Sequence, residues 1–476
     1  MYGGGDTGLP TYNPQAAFNI TKSIWWDSLA PGIPVAQGLT SIPLLFLLSI
    51  PQSLGAGPVF IQALLFFILL FLMGYGMYLL ALNIFGKSKP LLGIAAGVFY
   101  LFNPYMMIQI WHRFIHNSMF FVAFLPFLIM TWLWWIRKRN PAYLLLFLLV
   151  NFLAVYIYGT IAFIVPVWTL LILLTLLEGV VPWKGRKAAL SLFFVFLIGL
   201  VFWLLTNSWW LIPTFSVSPA LFASVHTTDD SLSTLMSLSA STILPYTLRL
   251  INPFYLYWLA DWGSIYQNVI FLIISWLFVP VVFIGFIRGL KQKQYIIWSL
   301  LFLVVIFLSK GAAPPFNFPY IWGFSHFFPL GVIRNPFEKL GIILPLVYAV
   351  LFTVGLQFLL VTGFKYIGKF KTKFILIIFI LLHMAFFWPM FAGKLFGTLE
   401  KQNFVEVPQS YTQANNWIKQ DLGNTTSNQD GRILHLPLSR SESVTYNWQY
   451  GYNGVEPSAA IFTSLPSIAR GLDIPG

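Results

Sequence analysis

Apolar runs long enough to cross a bilayer recur along this chain, and they restrict its fold more than any other feature. A helix needs about 20 apolar residues to span roughly 30 Å of hydrocarbon. Segments 59–86, 118–136, 188–211, 267–288, 340–361 and 374–393 meet that length. Segment 142–177 is too long for one crossing and contains Tyr158-Gly159, which predicts a helical hairpin, and 90–104 and 295–309 add two shorter spans. The expectation is an all-α polytopic membrane protein with about ten transmembrane helices. Composition points the same way, because only 9% of the 476 residues are charged, against about a quarter in soluble domains.

The basic residues then test this division. Lys87/Lys89, Arg137-Lys138-Arg139, Lys184/Arg186/Lys187, Arg288/Lys291/Lys293 and Lys365/Lys369/Lys371/Lys373 hold more than half of the 27 Lys and Arg residues. With ten spans all five clusters fall on one side, which the positive-inside rule makes cytoplasmic. Of the 14 acidic residues only Glu178 joins them. The net charge of +13 therefore orients the protein in a membrane, and no nucleic-acid partner is expected. The absence of cysteine excludes disulfides, thiolate catalysis and Cys-ligated metals.

The opposite, extracytoplasmic face is left with a first loop 1–58 containing amphipathic segments, a turn at 105–117, and the outer loops 212–266 and 310–339 of a transmembrane domain 59–393. It also holds the tail 394–476, where 411–422 reads as an amphipathic helix and 432–438 as a strand, the start of an α/β domain. Nearly all the acids and every histidine but His383 lie on this face, so chemistry is expected outside the cytoplasm. His383, inside the span 374–393, is expected to bond a neighbouring helix. Residues 3–14 carry no signal-peptide pattern, so either an upstream helix or hairpin insertion of the first span is expected to carry them outside; the tail lacks a finished domain pattern, so a longer tail is expected.

Several outer stretches have the residue types that chemistry requires. In 331-GVIRNPFEKLGIILP-345, Asn335 is a good N-cap, Pro336 suits the first helical position and Glu338 stands three after the cap, as in a capping box. Arg334 and Lys339 then add positive charge to a helix end that is already positive. Either a phosphate-bearing ligand accounts for them, or Glu338 neutralises Arg334 or Lys339 and all three are cap and interfacial anchors. Asp6 lies among glycines and Asp27 follows Trp25-Trp26; each is a candidate general base or a turn aspartate bonding its own backbone. In 111-WHRFIHN-117, His112 and His116 stand four apart, on one face if helical, with Arg113 between them. They, Arg113 and Glu338 are candidates for lining the site or contacting an acceptor, since nothing local supplies a third zinc ligand. Asp229 and Asp230 in the large loop are candidate ligands for a divalent cation, or simply solvated. No P-loop, HExxH or GxSxG pattern is present, so ATP-driven transport is not expected.

With these pieces in order, the chain resembles the GT-C superfamily of membrane glycosyltransferases, and within it the arabinofuranosyltransferase-type branch and its bacterial and archaeal relatives. The resemblance rests on 5-GDTGLPTYNP-14 with 25-WWD-27, on 209-WWLIP-213, on 333-IRNPFEKL-340, and on 446-YNWQYGYNGVEPSAAIF-462. It implies an inverting transfer from a polyprenyl-phosphate sugar to an extracytoplasmic glycan or lipid-linked acceptor, in a multi-pass protein of the cell membrane surrounded by lipid. It makes Asp6 the first choice of base and Asp27 the second, and gives the donor phosphate to Arg334 and Lys339. A divalent cation (Mg, Mn or Ca) is compatible with it. The competing class is non-catalytic: a lipid or polysaccharide transporter, or a scaffold that retains the fold.

Overall fold

The structure, a computed structural model, describes residues 1–476 except 5–7, 27–31, 182–185, 218–227, 397–403, 425–431, 440–442, 447, 462–464 and 471–476. Helices begin where the sequence places Asn-Pro. Asn13, Asn103, Asn140, Asn252 and Asn335 each precede a proline. Their Oδ1 atoms accept from the backbone N–H of Ala16, Met106, Ala142, Phe254 and Glu338 at 3.2, 3.1, 2.9, 3.0 and 3.3 Å. The first turn of a helix leaves N–H groups without intrahelical partners, and an apolar setting offers no water to satisfy them. The asparagine satisfies one, and proline removes another.

Six helices are long and apolar enough to cross a membrane: Pro58–Phe85, His116–Lys138, Ile161–Val180, Ala189–Val217, Val269–Leu290 and Pro336–Tyr366. A seventh span counts if Pro90–Leu101 and Met106–His112, bent by 58°, are taken together. The described residues therefore give six or seven such spans where the hydropathy pattern predicts about ten. Helix Pro141–Leu153 has 13 residues, a rise of about 20 Å against roughly 30 Å of hydrocarbon, and Ile296–Lys310 is similarly short. Helix Lys369–Phe386 opens on Lys369, Lys371 and Lys373, which shortens its apolar part. The 142–177 segment does break, at the 3₁₀ turns Val155–Gly159 and Ile161–Phe163. With side chains such as Phe67 and Leu205 turned outward, the chain is a multi-pass membrane protein.

Two helix backbones come into close contact where Phe278–Leu290 crosses Leu344–Tyr366. A Cβ on Gly285 would lie 1.8 Å from Leu351 O, and one on Gly355 2.0 Å from Val281 O, so glycine is required at both points of contact. Elsewhere a buried polar network joins the helices. Asn151 donates to Tyr158 Oη at 2.8 Å and accepts from Trp203 Nε1 at 2.9 Å and Asn207 Nδ2 at 3.2 Å; Asn207 in turn accepts from Trp210 at 2.8 Å. In an apolar surrounding each of these groups would be costly alone, and together they fix Arg186–Val217 against its neighbours.

Contacts sort as the charge pattern does. Segments predicted to share the outer face meet: Tyr105 with Phe337 and Glu338, Ser239 with Ala312, and Met1 with Val405. At the basic end Arg137 pairs with Glu178 at 2.5 Å and Arg139 bonds Ser191 at 2.8 Å. The N-terminal segment is tied to the membrane helix by Gln62, which accepts from Tyr2 N at 2.7 Å and donates to Tyr2 O at 2.6 Å. It is tied to the tail by Leu9, Val405 and Tyr452 packed together. In the tail, the helix read at 411–422 is Gln409–Asn424, and the strand read at 432–438 is Ile433–Ser439, paired in parallel with Ser467–Arg470.

Candidate functional site

Three of the Asn-Pro starts are followed by an aromatic residue, and the three converge. Asn103-Pro104-Tyr105 and Asn252-Pro253-Phe254 open onto the π-helical turns Met106–His112 and Phe254–Leu259, a geometry frequent at functional sites. Asn335-Pro336-Phe337 opens the helical turn Pro336–Lys339. The Tyr105 hydroxyl is fully buried and lies 3.0 Å from Phe337 O and 2.9 Å from Glu338 O. Asn335 Nδ2 donates to Tyr255 Oη at 3.3 Å and to Glu338 Oε2 at 2.9 Å. The repeated motif thus locks one helix start from two sides.

Glu338 is the electrostatic centre. It is buried, with 10% of its side chain exposed, and accepts from Arg113 Nη1 and from Lys339 Nζ at 2.5 Å. The Arg113 guanidinium carbon lies 4.2 Å from the centre of the Tyr255 ring, and the Lys339 ammonium 4.6 Å from that of Phe163. Two cations held by one buried carboxylate and two aromatic faces form a rigid cluster with one net positive charge. Only half of the predicted capping box forms: Asn335 caps Glu338 N, but Glu338 turns to the Asn335 amide and the two cations.

Arg334 stands apart. It is exposed and makes no hydrogen bond or ion pair among the described residues, whereas the Lys339 ammonium is engaged by Glu338. Of the two alternatives for Glu338, Lys339 is its partner, joined by Arg113 from 225 residues away. The two histidines do not share a helix face. Phe114 takes a left-handed φ of 55° and Ile115 is extended, so the chain breaks between them. His112 Nδ1 lies 2.8 Å from Leu395 O with its ring edge-on to Trp262. His116 is buried between Phe66 and Phe114. His383 bonds Phe102 O at 2.8 Å.

Asp6 and Asp27 lie outside the described residues, as do the side chains of Asp229 and Asp230, whose backbone belongs to helix Thr228–Ala240. The flanks of the first two are described. Gly4 N donates to Gly8 O at 3.1 Å, and Trp25–Trp26 pairs antiparallel with Ile33–Pro34. Among the described residues no three His, Asp or Glu side chains come together. The candidate cation ligands Asp229 and Asp230 are not among the side chains described.

Two residues before Arg334, Val332 helps to line an apolar groove of about 550 Å³. Ile161, Trp168, Ile172, Phe215, Phe327, Pro329 and Val332 line it, together with Gln37. Ile172, Phe215 and Phe327 are also exposed on the outside of the bundle, so the groove opens sideways. Its lining joins the chain that follows Asp27 to the chain that precedes Arg334.

In fold, the chain resembles arabinofuranosyltransferase AftD. The cryo-EM structure of AftD from mycobacteria matches 98% of this chain and 30% of AftD, with a TM-score of 0.61 at 14% identity. Mutant AftD in two classes gives TM-scores of 0.54 and 0.51 at 14% and 13% identity, covering 98% and 100% of this chain and 31% of AftD. The chain thus spans about a third of the length of AftD. No family model and no curated protein sequence matches it. What AftD and this chain share is a fold, in agreement with the superfamily that the motifs resemble. Tyr105, Tyr255 and Asn335 carry much of the site's framework, and the Asn-Pro-aromatic repeat was the signal that could have found Tyr105 and Tyr255.

Proposed function

We infer that this chain is the membrane part of a glycosyltransferase that moves a sugar from a polyprenyl-phosphate donor to an extracytoplasmic glycan or lipid-linked acceptor. The observation that carries the reading is Arg334, an exposed guanidinium without a partner among the described residues, two residues along the chain from Val332, which lines a laterally open apolar groove. A prenyl chain is apolar and enters from the bilayer, and its phosphate seeks a planar donor fork at the membrane surface. The rigid Arg113–Glu338–Lys339 cluster adds one fixed positive charge nearby. The likeness to AftD supports the sugar-transfer class.

In this reading the acceptor hydroxyl attacks the anomeric carbon while the bond from that carbon to the phosphate oxygen breaks. The hydroxyl proton passes to a carboxylate, Asp6 first and Asp27 second, and prenyl phosphate leaves with its charge held by Arg334. A single displacement inverts the anomeric centre. A fixed cation facing the leaving phosphate lowers the barrier because charge develops there. The test is transfer from prenyl-phosphoarabinose and from the corresponding hexose donors in reconstituted membranes. Arg334→Ala and Asp6→Asn are each expected to lower transfer by about 100-fold or more with the protein still folded. Full activity in both variants would overturn the assignment and favour the transporter or scaffold alternative.

A further inference from the structure

We propose that residues 316–327, read from hydropathy as part of a water-facing loop, form an interfacial anchor whose partner is bilayer lipid. The anchor lies in the headgroup region at the end of the bundle away from the basic clusters. Its sequence signal is a lack of charge. Between Gly311 and Ile333 there is no Asp, Glu, Lys or Arg, although seven aromatic residues stand there. A loop in water would carry charge at about a quarter of its positions. With no Lys or Arg, the segment is held by apolar area and not by attraction to anionic lipid.

The helix Asn317–His326 has two apolar sides. Tyr320 and Phe324 are buried in a cluster with Leu340, against which Ala162, Val165, Phe307 and Leu308 pack. These partners lie at the starts of Pro336–Tyr366 and Ile161–Val180 and at the end of Ile296–Lys310, in each case away from the basic clusters. The helix therefore rests on the rim of the bundle. Its other side presents Phe318 and Trp322, 73% and 56% exposed, flanked by Phe316 and Phe327 at 72% and 58%. An exposed apolar row of this kind marks contact with a membrane or a protein, and its surroundings select the membrane. Phe327 lines the groove together with Ile172 and Phe215, which are exposed on the membrane helices Ile161–Val180 and Ala189–Val217. The row is thus continuous with the lipid-facing surface. Trp322 has the amphipathic ring favoured at a membrane–water boundary, and the exposed His326 stacks on it at 5.1 Å and 17°. Anchored in this way, the segment brings Phe327, Pro329 and Val332 of the groove lining to headgroup depth.

The anchor does not depend on sugar transfer, so it is tested without donor or acceptor. The chain contains no cysteine, and a nitroxide therefore attaches only where one is introduced. Phe318→Cys and Trp322→Cys are labelled singly in phosphatidylcholine nanodiscs. Phe67→Cys, on the outer surface of Pro58–Phe85, and Trp417→Cys, on the tail helix Gln409–Asn424, serve as lipid and water references, being 68% and 65% exposed. Collision with oxygen and with a nickel chelate should place the labels at Phe318 and Trp322 roughly 5–10 Å into the headgroup–acyl boundary, between the two references. Mixing in phosphatidylglycerol should leave that depth unchanged. In a chain carrying both Phe318→Glu and Trp322→Glu, a label on Phe316→Cys should shift to the nickel accessibility of the Trp417 reference. Three outcomes would overturn the proposal. One is nickel accessibility at Phe318 and Trp322 equal to that at Trp417, as a water-facing loop or a bare protein-docking face gives. The second is shielding from both reagents, as a second copy seated on that face gives. The third is insertion that requires phosphatidylglycerol.

Discussion

Arg137 and Arg113 each pair with a glutamate at opposite ends of the bundle, and the difference between them is instructive. Arg137 keeps 43% of its side chain exposed while bonding Glu178. Arg113 keeps 15%, and its partner Glu338, 10% exposed, also holds Lys339. A pair in water gains little, because solvent already screens both charges. A pair out of water is committed: each charge depends on the other, and removing one strands the rest. The basic end therefore anchors and orients the chain, while the other end builds a fixed electrostatic cluster around Glu338.

The strongest way to break this comparison is Glu338→Ala, which strands Arg113 and Lys339 and should cost about 3–5 kcal/mol of stability, read by unfolding in mixed micelles. Replacing Glu338 and Arg113 together by apolar residues should recover part of that loss, since the stranded charge is removed with its partner. Tyr105→Phe is a smaller test: it leaves Phe337 O and Glu338 O without the buried hydroxyl and should cost about 1–2 kcal/mol. Glu178→Ala at the basic end should change stability by less than about 1 kcal/mol, and less still in high salt. A loss at Glu178 equal to that at Glu338 would erase the distinction drawn here.

The sequence made much of the frame legible. Apolar runs and basic clusters gave the helices and their grouping, and Asn-Pro pairs marked where helices start, because caps act within one turn. Of the about ten spans expected, six or seven among the described residues are long and apolar enough to cross, since hydropathy does not measure the rise of a 13-residue helix or see a 58° bend. The histidine pair was read as one face if helical, and a single left-handed residue, Phe114, separated its members. Tyr105 and Tyr255 drew no attention because a buried tyrosine and a core phenylalanine look alike in an apolar context.

The sequence by itself determined the class of molecule, many of the helix starts and the grouping of the basic clusters, because periodicity, capping and hydropathy act over a few residues or over whole spans. Only the tertiary structure decided which charge is spoken for. Coulomb attraction depends on distance in space, and Arg113 reaches Glu338 across 225 positions of chain. That pairing binds Lys339 into a buried cluster and leaves Arg334, five residues earlier, exposed and without a partner among the described residues.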